Sequence, residues 1–281
     1  MTSQGQKPLL HLVRPVVVCV VALGVIAFAM AIKGRHSVSL ALGGVLVLIS
    51  GILVWQVHTG LRHLHTRSVS LQQAACEAEL HYVSVLRQIV TLSDSRDRYY
   101  EGHSARVGTL SRQLSARLGL DEQMCELMNW AGELHDIGML AIPERILAQR
   151  GRVDGSAFAT IKKHSHISYD MLRPLRSLAA VLPAIRDHHE RMNGTGYPEG
   201  RSGQKICLGA RIIAVTDAFD AMTHDRPHRT AISPQAAVAE LRRCCPSGFD
   251  EECVRALAQQ VGVAWPAAED EPAAAARAAV A

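Results

Sequence analysis

The chain has 281 residues, 48% of them hydrophobic but only 4% aromatic, with a formal net charge of +4 and 14 histidines. That balance suits aliphatic helices rather than a β-sandwich, whose strands favour aromatic and β-branched side chains. The small charge, without a basic run, excludes a protein that tracks a nucleic-acid polymer. The seven cysteines form no CxxC pair and read as reduced thiols in a cytosolic setting.

In chain order, residues 1–15 form a short N-terminal segment, followed by two apolar runs. Val16 to Ile32 is unbroken; Val38 to Val57 is interrupted only by Ser39, Ser50 and Gln56. Each is near the roughly 20 residues a helix needs to cross the hydrocarbon core. Only Lys33-Gly34-Arg35-His36-Ser37 separates them, which predicts a transmembrane helical hairpin over residues 16–57. A cleaved signal peptide ending near Ala29-Met30-Ala31 is the alternative for the first run, but the second would still anchor the chain. Lys7, Arg14, Arg62 and Arg67 flank the hairpin outside, against Lys33 and Arg35 in the turn. This bias places both termini in the cytoplasm and the chain in the inner membrane as a multi-pass protein.

Residues 58–95 read as a linker helix, the regular part from about Ser68 to Ser95. Leu71, Ala75, Ala78, Tyr82, Leu86, Ile89 and Leu92 recur at helical spacing. The stripe is either a seam for a homodimer or the face packed on the next domain. Residues 96–261 form the principal folded domain, all-α in pattern, and the Ala-rich tail 262–281 has no core-forming composition. Asp121 is the expected N-cap of a helix stopping at Gly138. Further helices are expected over Ser156–Leu172, from Pro183, and over Leu208–Met222.

Several histidines and carboxylates fall inside these apolar helices. His135-Asp136 ends one beside Leu134 and Ile137, where an unpartnered charge would cost several kcal/mol; alone, the pair fits a surface helix end equally well. His188-His189 is a less ordinary pair: helical neighbours stand about 100° apart, so the two imidazoles can serve two adjacent ions. Asp217 is a lone carboxylate in an apolar helix, His164 shares a face with Ile161, Ile167 and Met171, and His103 completes the group. His166 is turned outward. Five imidazoles and two carboxylates exceed what one tetrahedral zinc needs. They suit two divalent ions, iron or manganese, with Asp136 as the natural bridge. Such a pair activates water and clamps a phosphate, which is phosphoester hydrolysis.

These residues lie in HSARV (103–107), HDIGM (135–139), IKKH (161–164), HHERMNGTGYP (188–198), ARIIAVTDAFDAM (210–222) and DRPHR (225–229). The ordered series, from about Arg96 to Asp250, resembles the HD-GYP family. The resemblance implies a helical HD-type metal-dependent phosphohydrolase domain that hydrolyses cyclic di-GMP to pGpG and GMP. It implies the metal ligands His103, His135, Asp136, His164, His188, His189 and Asp217, with His135 and Asp136 at the catalytic centre. It also implies a substrate-binding role for Arg226, Arg229, Gly196, Tyr197 and Pro198, or a surface there for a diguanylate cyclase (GGDEF-domain) partner. Glycines and proline in that loop also fit a purely structural turn. Met139 replaces the family's usual lysine, which makes a catalytically weak cyclic di-GMP sensor the alternative function. Tyr99 replaces the glutamate of three-metal members, which implies a two-metal site. Asn193 and Ser165 depart from the pattern without touching the ligand set. An HD-type hydrolase of mononucleotides or alarmones is the third reading, against which the GTGYP loop speaks.

Overall fold

The computed structural model describes residues 21–22, 24–26, 28–29, 32, 37–96, 100–147, 154–226 and 229–265. Among them the regular elements are helices, and the extended pairings are two isolated bridges, Asn193–Ser202 and Arg226–Arg229. The chain divides into two compact units, Met1–Ala75 and Cys76–Ala281. The segment 1–15, the turn 33–36 and the tail beyond 265 lie outside the described residues.

In the first unit the described residues between 21 and 32 are helical. A Cβ on Gly24 would stand 3.1 Å from Val47, and one on Gly43 would stand 3.9 Å from the Phe28 backbone. Helix α1 then runs unbroken over Ser37–Asp94, 58 residues, joining the second apolar run to the linker helix. Gly60 is the sole breaker between Val57 and Ser68, and one helical glycine costs only about 1 kcal/mol. One helix among the described residues, Gly43–Asp94, is long and apolar enough to cross a membrane. Most of the linker stripe stays outside: Leu71, Tyr82 and Leu92 are 70%, 59% and 67% exposed, whereas Leu86 packs against the core. Val83 and Val90 are the linker residues that enter the core of the second unit.

The second unit is a set of helices around a core of Leu134, Ile137, Ile185, Ile212, Ile213 and Leu257. In order they are α2 (His103–Arg117), α3 (Glu122–Leu134), α4 (Glu144–Leu147), α5 (Gly155–Ile161), α6 (His164–Leu172), α7 (Leu182–Asp187), α8 (Leu208–Thr223), α9 (Pro234–Arg243) and α10 (Glu251–Gln260). Asp121 caps α3 by accepting from Met124 N at 2.7 Å, Asp154 caps α5, and Asp250 caps α10. Pro183 and Pro234 occupy first-turn positions of α7 and α9.

Two expected boundaries move. Helix α3 ends at Leu134 rather than Gly138, because Asp136 takes the bridge conformation (φ −101°, ψ 10°) and a 3₁₀ turn follows over Ile137–Ala141. The helix expected over Ser156–Leu172 is two helices, parted at Lys162-Lys163, so that His164 opens α6. Its buried face is consequently His164, Ser165, Ser168 and Leu172, while Met171 is exposed.

Glycine contacts set the crossings that matter. A Cβ on Gly132 of α3 would lie 2.8 Å from the Gly108 Cα of α2, so the two backbones touch there. That contact brings the start of α2, at His103, beside the end of α3, at His135. Ser111 Oγ and Thr216 Oγ1, 2.9 Å apart, tie α2 to α8 and so align His103 with Asp217. Gly138 lets the turn after Asp136 close on α6: its N–H donates to Ser168 Oγ at 2.9 Å, and that hydroxyl donates to His135 O at 2.8 Å.

Candidate functional site

Helix ends converge on one cluster. His135 follows α3, His188 and His189 follow α7, His164 opens α6, His103 opens α2, and Asp217 stands mid-way along α8. His103, His135, His164 and His188 are buried; Asp136, His189 and Asp217 are partly so.

One arrangement recurs. The Nδ1–H groups of His135, His164 and His188 donate to the carbonyls of Gly132, Ile161 and Ile185 at 2.7, 2.7 and 2.6 Å. Each ring thereby satisfies a helix-terminal carbonyl and turns its Nε2 lone pair into the cluster. His103 does the same with a carboxylate, its Nδ1 lying 2.7 Å from Asp220 Oδ2.

The Nε2 atoms face Asp136 from two sides. His164 and His188 lie 3.1 and 3.8 Å from Oδ1, while His135 lies 3.4 Å from Oδ2. His189 Nε2 is 3.2 Å from His164 Nε2, and His103 Nε2 is 3.4 Å from Asp217 Oδ1. Two groups of donors follow, each with its atoms within 4.8 Å of one another: Asp136, His164, His188 and His189, and His103, His135 and Asp136. Asp136 belongs to both. The two neighbouring imidazoles, expected to face different ions, fall instead in one group. Helix α7 stops at Asp187, so the 100° step of a helix does not separate them; their centroids are only 4.0 Å apart.

The electrostatics favour a cation here. Burial alone would lower the His135 pKa, but the Asp136 carboxylate outweighs it and lifts the group to about 9. Burial would raise Asp136, yet His135 and His164 hold it well below the usual carboxylate range. Burial pushes His189 down to about 4 and His188 well below the ordinary imidazole value, so both are neutral ligand-type rings. His135 Nε2, His188 Nε2 and Asp136 Oδ1 are buried without a hydrogen-bond partner. Buried polar atoms of this kind need a partner, and a divalent cation fits the set.

The other expected residues lie at the rim. Tyr197 packs on His189 with centroids 4.7 Å apart, and burial raises its phenol pKa. Gly196 is fixed by packing, since a Cβ would sit 2.5 Å from the His189 carbonyl oxygen. Pro198 follows through a cis peptide bond. Arg226 lies over the Tyr100 ring at 4.1 Å, and Tyr100 adjoins His103 with centroids 6.0 Å apart. Arg229 is turned aside, donating to Ala221 O at 2.7 Å. Met139 is half-buried, and Tyr99 lies outside the described residues.

Sequence reasoning missed Asp220. It is buried, accepts from Arg106 Nε at 2.6 Å and Nη2 at 3.0 Å, and holds His103. Burial opposes its charge, but His103 and Arg106 bring its pKa down to about 2. The signal was its place one turn after Asp217 on an apolar helix. Glu190 was missed too: buried, it accepts from Glu199 N and Arg201 N at 2.7 and 3.0 Å, closing the 194–198 loop.

The profile of the HD domain family matches residues 85–253. The chain is 32% identical over 213 residues to the cyclic di-GMP phosphodiesterase response regulator RpfG of Xanthomonas campestris, covering 71% of this chain and 56% of that protein. It is 31% identical over 205 residues to a cyclic di-GMP phosphodiesterase of Thermotoga maritima, covering 70% and 55%. It is 35% identical over 151 residues to the 3'3'-cGAMP-specific phosphodiesterase 1 of Vibrio cholerae, covering 54% and 35%. The chain thus spans about half the length, or less, of these curated relatives. Its fold resembles that of an HDGYP protein from Bdellovibrio bacteriovorus, with a TM-score of 0.50 at 19% identity over 66% of this chain and 64% of that one. The ring of buried histidines, the shared aspartate and the profile match together place the chain in the HD domain family.

Proposed function

We propose that the chain is a membrane-anchored, metal-dependent phosphodiesterase that opens cyclic di-GMP to pGpG and on to GMP. The observation that carries this reading is Asp136, common to both donor groups. His135, His103 and Asp217 would hold one divalent ion, His164, His188 and His189 the other, with Asp136 between them. The mixed imidazole–carboxylate set suits iron or manganese. When bound, the metal pair supplies Lewis acidity that activates water and offsets the charge of a phosphodiester.

The chain's own residues do the rest. The i−3 carbonyls and Asp220 lock four rings in the Nε2-presenting tautomer. Arg226, placed over Tyr100, offers its guanidinium to a substrate phosphate. Arg229 would join it on leaving Ala221. Tyr197 stays protonated and offers a ring face rather than a base. Pro198 and Gly196 hold the ring against His189. Relatives named for cyclic di-GMP and for 3'3'-cGAMP support a cyclic dinucleotide as substrate class.

The antiparallel contacts of Gly24 with Val47 and of Gly43 with Phe28 support a transmembrane hairpin. Arg87 of α1 pairs with Glu133, two residues before His135, which supports the linker as a route for a membrane signal. Its exposed stripe supports pairing with a second copy.

The test is turnover of cyclic di-GMP by the anaerobically purified full chain, with metal content and mass measured on the same sample. Wild type should give pGpG or GMP with about two metals per chain, and Asp136→Ala should give neither. Metal and dinucleotide binding without product would establish the sensor reading, for which Met139 is the sequence feature. A strictly monomeric species would dispose of the helix seam.

A further inference from the structure

The imidazoles of the cluster form a continuous row, and each end of it carries an aromatic ring with a cation over its face. Ring centroids step from Tyr100 to His103 (6.0 Å), His135 (5.6 Å), His188 (5.0 Å), His189 (4.0 Å) and Tyr197 (4.7 Å). At the first end Arg226 lies 4.1 Å over Tyr100. At the other, Lys162 Nζ lies 4.7 Å over Phe158 and 5.2 Å over Tyr197, whose rings meet edge to face at 6.5 Å. A cyclic dinucleotide has the matching form: two nucleobases and two phosphates, related by a twofold axis.

We propose that Lys162, Phe158 and Tyr197 form a second nucleotide subsite, the ring faces taking a nucleobase and the ammonium the adjoining phosphate. The inference rests on the cyclic-dinucleotide reading above and deepens it. No ion pair among the described residues holds Lys162, and ring faces attract a cation without neutralising it. Its charge is therefore free for an anion. Phe158 is 47% exposed, an aromatic surface with no core role, and nucleobases stack on such faces irrespective of identity. The break between α5 and α6 puts Lys162 two residues from His164, within reach of a phosphate held at the metal cluster. It thereby offers, from another segment, the cation that Met139 does not.

The test uses the full chain in two assays: KM and kcat for cyclic di-GMP, and Kd for its hydrolysis-resistant bis-phosphorothioate analogue. Lys162→Gln is compared with Lys163→Gln, which removes the same charge from an exposed neighbour. Lys162→Gln should raise both KM and Kd about tenfold, equivalent to about 1.4 kcal/mol, with metal content unchanged. Phe158→Leu should raise Kd in the same direction, and Lys163→Gln should leave both values alone. Equal effects of the two lysine variants, or a wild-type Kd for Lys162→Gln, overturn the subsite. A wild type that binds the analogue but never cleaves cyclic di-GMP sinks the enzyme reading instead, while the Kd comparison still decides the subsite. A wild type that does neither overturns both.

Discussion

Replacing Gly138 by alanine tests whether the close approach of two backbone segments assembles the cluster. The new methyl would stand 2.2 Å from the His164 carbonyl oxygen and 2.7 Å from Ser168 N. Ordinary contact starts at 3.4 Å, so the turn bearing His135-Asp136 must withdraw from α6 by about 1.2 Å, the difference between the two distances. The nearest neighbour is backbone, which has no rotamer with which to escape. Overpacking of this kind costs about 1–3 kcal/mol, and for a unit of this size each kcal/mol lowers Tm by about 2–4 °C. The displacement also separates Asp136 from His164, 3.1 Å apart in the native cluster. A misplacement of about 1 Å can reduce turnover about 100-fold. Thermal unfolding, metal stoichiometry and cyclic di-GMP turnover should be read on Gly138→Ala beside Gly155→Ala, where a Cβ meets nothing within 4 Å. Wild-type melting, metal content and turnover in Gly138→Ala would refute the argument.

Asp220→Asn keeps the volume but removes the charge that orients His103 and anchors Arg106. Metal affinity should fall about 10–100-fold in a competition titration against a chromogenic chelator; an unchanged affinity would leave Asp220 a purely structural residue. Asp250→Ala removes the cap of α10, a 3.0 Å bond from Cys253 N, and the 2.7 Å partner of Arg211 Nη1. The loss should be about 1–3 kcal/mol by urea unfolding at neutral pH. Burial opposes the Asp250 charge, but Arg211 and Cys253 N–H hold its pKa below the ordinary 3.8. A lowered folded pKa contributes stability in full above 3.8 and loses it as pH falls through the folded value. The gap between wild type and Asp250→Ala should therefore persist from pH 7 to pH 5 and narrow only below about pH 4; a gap closing near pH 6 would contradict the assignment.

Much of this was legible in the chain because the chemistry violates the helical pattern around it. Asp217 in Ile212–Phe219, and His135-Asp136 after Leu134, are polar groups where an apolar face calls for Leu or Val; His135 and Asp136 lie in the donor groups, and Asp217 stands outside both, 3.4 Å from His103 Nε2. Less legible were the features that depend on where a helix stops. Nothing in the spacing of Ser156–Leu172 shows a break at Lys162-Lys163, so the inward face was placed one register off, with Met171 inside rather than Ser168. Asp220 could be read only once His103, 117 positions earlier, was known to stand beside it. The spacing of the linker stripe leaves seam and packing face open; Val83 and Val90 enter the core, and of the stripe Leu86 packs against it.

The helix ends themselves carry the argument about why histidine, and no other ligand, occupies three of these positions. A helix leaves its last carbonyls without intrahelical donors. An imidazole three residues on can fill that need with Nδ1–H while keeping Nε2 bare, as His135, His164 and His188 do. Cysteine or a carboxylate at the same place would ligate a cation but leave the carbonyl orphaned. The negative ends of α3, α5 and α7 meanwhile point at the cluster, adding a field that favours positive charge within it. Capping, tautomer selection and electrostatic attraction of a cation are thus one arrangement used three times. The ends of α3, α5 and α7 thus serve the site as well as the fold.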